Sequence, residues 1–187
     1  MQSVADACHA GRLQAEVVLV ISNNLNARVL MRASEAGIPA LRLSSRTHPH
    51  PDDLDAAICG ALVEHAADTI FLAGYLKKLG PKTLDRFAGR VLNTHPALLP
   101  KYGGLGMYGD RVHEAVLASG DRESGLSVHI ADAEYDTGPV VAQTRVPVEP
   151  GDTVESLSQR VHTRELDFVV EVLREIVRGT LQLSRAR

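Results

Sequence analysis

Apolar positions along the chain follow two spacings. Near-continuous or alternating runs predict strands, and repeats every three or four residues predict helices. Residues 15–21 are rich in Val, Leu and Ile and almost unbroken, the pattern of a strand buried on both faces. Ser22-Asn23-Asn24 turns the chain, and Val29, Leu30, Ala33 and Ala36 then stand at helical spacing until Gly37. Residues 38–43 read as a second strand. A polar loop with two prolines, 44–51, precedes a helix over 52–66 whose apolar stripe is Leu54, Ala57, Ile58, Ala61 and Leu62. Residues 68–73 predict a third strand and 90–93 a fourth. This β-α-β-α-β-β order, with connections long enough for crossovers, predicts a parallel α/β sheet.

The second half reads differently. Residues 94–110 form a long Pro/Gly-rich stretch, and a loop of that length in a compact domain is usually functional. A helix over 111–118 ends at Gly120. Residues 125–130 and 140–146 are strand-like, and their short separation predicts antiparallel pairing. A last helix runs over 154–178, with Asp152-Thr153 as caps and Gly179 after it. Residues 1–10 already read as a helix, with Val4, Ala5 and Cys8 on one face and Gly11 as its stop.

Length and charge narrow the function. At 187 residues the chain predicts one domain, 1–187, large enough to bury a core. Lys+Arg is 20 against Asp+Glu 23, a net charge of −3, which argues against nucleic acid held by bulk positive charge. Without Trp, and with four Tyr and three Phe, no stacking platform for single strands is evident. The longest apolar run, Val17 to Ile21, is far too short to span a bilayer, and no signal peptide opens the chain. Cys8 and Cys59 make no disulfide framework and no CxxC, so the cytoplasm is the expected compartment.

Candidate chemistry concentrates in two places. Asn93 and His95 stand two apart where a strand reaches its C-terminal end, so both project to one face. Open α/β sheets bind ligands beyond those ends. A carboxamide and an imidazole together suit a carbonyl that becomes a tetrahedral oxyanion. The second place is Glu134-Tyr135-Asp136-Thr137-Gly138-Pro139, between two strands. A carboxylate beside an imidazole raises its pKa and fixes its orientation. On residue types alone, a loop-capping Asn with a surface His, and an ordinary Asx turn, remain open. His113 and His129 read as structural. His48 and His50 flank Pro49 without assembling a metal site, and no metal is expected.

Asn93-Thr94-His95-Pro96-Ala97-Leu98-Leu99-Pro100-Lys101-Tyr102 resembles the signature of the folate-dependent formyltransferases. The stretch from Gly103 to His113, Ser127-Val128-His129, and Tyr135-Asp136-Thr137-Gly138-Pro139-Val140 extend the resemblance, which runs from Met1 to about Gly179. It implies a Rossmann-like formyltransferase fold, mostly parallel, with antiparallel strands in the C-terminal part and helices on both faces. The implied activity is transfer of a formyl group from 10-formyltetrahydrofolate to the amine of glycinamide ribonucleotide, in purine biosynthesis. By the same resemblance Asn93, His95 and Asp136 would be catalytic. Asn93 and protonated His95 would stabilise the oxyanion, and Asp136 would orient His95 and help relay a proton to the leaving folate nitrogen. Leu76, Lys77 and Leu79, with Glu134, Tyr135, Thr137 and Gly138 of the turn, would bind the folate. Glu165 would hold the ribose hydroxyls. Small molecules are the implied partners, for a monomer or homodimer.

The chain also departs from the family. The family opens with an apolar strand and a glycine-rich phosphate loop, and this sequence starts at Met1-Gln2-Ser3, just after that turn. Met1 read from inside a longer frame is the favoured reading, since every downstream match is intact. A truncated, non-catalytic folate-binding paralogue is the alternative. A formyltransferase for another amine, such as an amino-sugar nucleotide, is a second.

Overall fold

The computed structural model describes residues 1–183. Its elements are α1 (Gln2–His9), β1 (Val20–Ser22), α2 (Arg28–Glu35), β2 (Ala40–Arg42), α3 (Pro51–Glu64), β3 (Ile70–Leu72), α4 (Pro81–Arg86), β4 (Val91–His95), α5 (Asp110–Ser119), β5 (Glu123–Ile130), β6 (Val140–Pro147) and α6 (Val154–Val177).

The parallel pairs lie in the first half of the chain. β1 pairs with β2 through Val20 and Ala40, and β3 with β4 through Ile70 and Val91. β5 then runs antiparallel to β4, and β6 antiparallel to β5. The single sheet expected from the sequence is two: β1-β2 and β3-β4-β5-β6. The strand expected over 15–21 is shorter too, since only Val20–Ser22 enters a ladder. Leu19 still packs against the core beneath α3. An apolar run reports burial, and burial without a paired neighbour gives the same pattern as a strand.

β4 divides the core in two. Side chains alternate across a strand, so Val91 and Leu92 face opposite sides. Val91 packs with Ile58 and Leu62 of α3 and with Phe87. Leu92 packs with Val116 of α5, with Leu126, Val128 and Ile130 of β5, and with Leu157, Val161, Phe168 and Val172 of α6. Burying each such side chain contributes about 1.5–3 kcal/mol. Continuing the alternation, Asn93 and His95 share the side of Val91, and Thr94 shares that of Leu92 and α6.

Caps fix where the helices begin. Thr153 accepts a hydrogen bond from the Ser156 N–H, and the Ser156 hydroxyl accepts one from the Thr153 N–H. α6 therefore starts where Asp152-Thr153 predicted. α4 has six residues, too few for a helical period to repeat in the sequence. Its N-terminus is capped from outside by the buried Asp55 of α3, whose carboxylate accepts from Lys82 N, Thr83 N and the Thr83 hydroxyl at 2.8, 3.1 and 2.6 Å. Gly80 permits this approach, because a Cβ there would collide with the Asp55 side chain. α1 docks on α6 by packing Ala7, with Leu13 just beyond it, against Val170.

Candidate active site

Two elements deliver the acid–base groups. β4 presents Asn93 and His95 on one face, and the turn between β5 and β6 brings Asp136 to them. Asp136 has φ +58°, a conformation that Asp tolerates better than most non-glycine residues. Its Oδ2 lies 3.4 Å from His95 Nδ1 and accepts the Gly104 N–H at 3.0 Å. Oδ1 lies 3.4 Å from His129 Nε2. The imidazole of His95 is 97% buried in effect, with 3% relative exposure, and its Nε2 donates to the Tyr102 carbonyl at 2.7 Å.

The long loop after β4 is therefore part of the site. It supplies the Tyr102 carbonyl and the Gly104 N–H. Tyr102 is pinned in turn, its hydroxyl bonded to Asp121 at 2.7 Å and to Ser119 at 2.6 Å. Lys101 also reaches Asp121, at 2.9 Å.

Electrostatics pull His95 in two directions. Asp136 does pull the His95 pKa upward, aided by the Tyr102 carbonyl. Burial pulls harder in the opposite direction, and His95 sits below its ordinary 6.5. Burial thus works against the protonated ring that the resemblance implied, and the Asp136 carboxylate works for it. For Asp136, burial would raise the carboxyl, but the contact with His129, the Gly104 N–H and the flanking imidazoles outweigh it. The net position is below the usual carboxylate range, so Asp136 is ionised.

A cavity of about 510 Å³ opens onto this cluster. Asn93, His95, Tyr135 and Asp136 line it, as do Tyr75 and Leu76 after β3 and Leu105 to Gly109 of the long loop. Glu165 of α6 lines another wall, with Met1 and Ser3 beside it. Thr94, pointing to the α6 side of β4, donates to Glu165 Oε1 at 2.9 Å. His162 Nδ1 lies 3.2 Å from Oε2. A smaller adjoining cavity of about 50 Å³ is lined by Lys77, Lys78, Leu79, Glu134, Tyr135 and Asp136 among others. Lys78 pairs with Glu134 at 2.9 Å and lies over the Tyr135 ring.

Most of the residues singled out in the sequence thus converge, and two do not. Thr137 spends its hydroxyl on Asp132, at 2.9 and 3.0 Å, and Gly138 packs against the Ile130 carbonyl of β5. Neither lines either of these two cavities; both shape the turn that carries Asp136. Four contributors escaped the sequence reading. Thr94 was hidden between two more telling neighbours. Tyr102 and Gly104 act through backbone atoms, which residue type does not report. His129 stands directly across the ladder from Asn93, a placement that only the β4–β5 register reveals. His113 of α5 is buried, its Nδ1 has no hydrogen-bond partner, and burial lowers its pKa. His48 Nδ1 is taken up by the Thr47 hydroxyl at 3.0 Å.

Comparison with known proteins agrees with this arrangement. The formyl transferase family profile matches residues 1–173. The phosphoribosylglycinamide formyltransferase of Haemophilus influenzae is 39% identical over 184 residues, 98% of this chain and 84% of that protein. The Escherichia coli protein of the same name is 36% identical over 183 residues, again 98% and 84%. The crystal structure of glycinamide ribonucleotide transformylase 1 from Symbiobacterium toebii superposes with a TM-score of 0.89 at 35% identity, covering 98% of this chain and 84% of that one. The chain belongs to the formyl transferase family, among the phosphoribosylglycinamide formyltransferases.

Proposed function

We propose that the chain transfers the formyl group of 10-formyltetrahydrofolate to the amine of glycinamide ribonucleotide, a step of purine biosynthesis, with Asn93, His95 and Asp136 as the catalytic residues. The convergence of those three side chains on one 510 Å³ cavity, in a chain of this family, is the observation that carries the reading. The substrate amine attacks the formyl carbon, and a C–N bond forms. Asn93 Nδ2 donates to the developing oxyanion. Neutral His95 takes the proton released by the amine, which turns the ring into an imidazolium beside the Asp136 carboxylate. That charge adds to oxyanion stabilisation at the moment it is needed. The proton then passes, through water, to the departing folate nitrogen as its C–N bond breaks.

The folate would lie against Leu76, Tyr75, Leu79 and Tyr135, whose apolar surfaces suit a flat heteroaromatic ring. Lys77 and Glu134 stand at the same mouth. Glu165, its carboxylate already oriented by Thr94, would accept hydrogen bonds from vicinal hydroxyls of the ribose. Among the described residues no helix is long and apolar enough to cross a membrane, and a cytoplasmic monomer or homodimer acting on small molecules fits the reading.

The test is conversion of 10-formyltetrahydrofolate to tetrahydrofolate in the presence of glycinamide ribonucleotide. Turnover that depends on the ribonucleotide is expected. Turnover with an amino-sugar nucleotide instead would transfer the reading to that amine, and folate binding without turnover on either would overturn it.

A further inference from the structure

We infer that Ser127 is a positioning residue for His95: it ties down the loop after β4, so that the Tyr102 carbonyl meets His95 Nε2 and leaves Nδ1 as the nitrogen that exchanges the proton of the reaction. The inference rests on the assignment of His95 to catalysis. Ser127 stands directly across the β4–β5 ladder from His95, and Gln143 of β6 stands across from Ser127. The ladder ends at His95, where the chain turns away at Pro96. From there the buried Ser127 side chain takes over from the backbone. Its hydroxyl donates to the Ala97 carbonyl at 2.7 Å and accepts the Leu99 N–H at 2.9 Å. Gln143 Nε2 donates to the same oxygen at 2.8 Å and to the Leu99 carbonyl at 2.9 Å. A hydroxyl has one hydrogen and two lone pairs, and all three are used. The Leu99 carbonyl only accepts, so the amide end that faces it is the nitrogen. The tether thus involves no ionisable group, and its donors and acceptors follow from atom types.

What the tether holds is an uncommon conformation. Three residues beyond Leu99, Tyr102 has φ +57°, in the left-handed region that a tyrosine rarely occupies. A loop free to relax would leave it. Ser127 and Gln143 fix the near end of the loop, and the bonds of the Tyr102 hydroxyl to Asp121 and Ser119 fix the far end. Between them the Tyr102 carbonyl reaches His95 Nε2 at 2.7 Å. A carbonyl only accepts, so Nε2 carries a hydrogen whether the ring is charged or neutral. Nδ1, which faces Asp136 Oδ2 at 3.4 Å, is then the nitrogen left to take up and return a proton. Without the carbonyl, the hydrogen of the neutral ring can sit on either nitrogen. Two residues further on, the Gly104 N–H meets the same Asp136 oxygen, so the one loop steadies both partners.

Kinetics and ¹⁵N spectra of the histidine-labelled protein test this together. Ser127→Ala takes the hydroxyl from the Ala97 carbonyl and the Leu99 N–H. Misplacing a reacting group is costly, so kcat should fall about 10- to 100-fold, with folate-analogue affinity kept within a few-fold. At pH 8, well above the His95 pKa, the parent ring should carry its hydrogen on Nε2. In Ser127→Ala that hydrogen should be shared between the two nitrogens. Gln143→Leu, which removes the donor to Ser127 and to Leu99, should move both readouts the same way by less. In a His95→Ala background, Ser127→Ala should cost almost nothing further in kcat. A lower Tm with parental kcat and a parental His95 spectrum would make Ser127 merely structural and overturn the inference. Equal kcat losses in both backgrounds would overturn it as well, while leaving His95 catalytic. Parental turnover by His95→Ala alone would instead overturn the catalytic assignment, and the inference with it. If Ser127→Ala does not fold, Gln143→Leu and the parent spectrum decide: a neutral His95 with its hydrogen on Nδ1 overturns the inference.

Discussion

Burial lowers the His95 pKa below 6.5 while the Asp136 carboxylate works against it, and both effects come from the same packing. The mechanism needs the neutral ring at the start, so kcat/KM should fall as acid protonates it, on a limb below pH 6.5. In Asp136→Asn the upward pull is gone, and what remains of that limb should move further into acid. A pH–rate profile of the two proteins checks both statements; an acid limb above 6.5 in the parent would contradict them. Asn93, His95 and Asp136 were legible in the sequence because a two-residue spacing on a strand and a charged turn carry geometric meaning. The direction of the His95 shift was not legible, because it depends on how deeply the ring is buried. The same is true of His129, whose role depends on register and not on its neighbours in sequence.

At the scale of elements, the site hangs on segments that hold each other in place. β4 carries Asn93 and His95 on one side and Thr94 on the other, so one strand addresses the reacting carbonyl and the Glu165 carboxylate together. The α3–α4 joint is an isolated place to test such coupling. Asp55→Ala should leave two N–H groups of α4 unsatisfied and cost about 1–3 kcal/mol, read as a lower denaturation midpoint. Asp55→Asn, which keeps one acceptor oxygen, should cost less. No change on Asp55→Ala would mean that water caps α4 equally well. Long helices and the β5–β6 hairpin were readable from spacing, caps and connection length. The split of the strands into two sheets and the six-residue α4 were not. Pairing partners are a tertiary choice, and one and a half helical turns leave no period to detect.

For the whole molecule, two buried histidines set the response to acid. His95 and His113 both titrate below 6.5 in the folded chain, whereas the unfolded chain takes up protons at about that pH. Stability should therefore be full above pH 6.5 and decline as pH falls through the folded pKa values. Asp136, held low, adds a further loss below its ordinary 3.8. Thermal melts across that range should show the decline, and a flat profile between pH 7 and 5 would refute it. A folate analogue binding the native cavity at a hundred times its Kd should add about 2.7 kcal/mol, raising Tm by several degrees. The account stands or falls most directly on Asp136→Asn assayed beside the parent chain for ribonucleotide-dependent turnover and for folate-analogue binding. Formyl transfer by Asn93, His95 and Asp136 predicts turnover lower by at least about 10²-fold with folate affinity kept within a few-fold. Near-parental turnover by Asp136→Asn would contradict it.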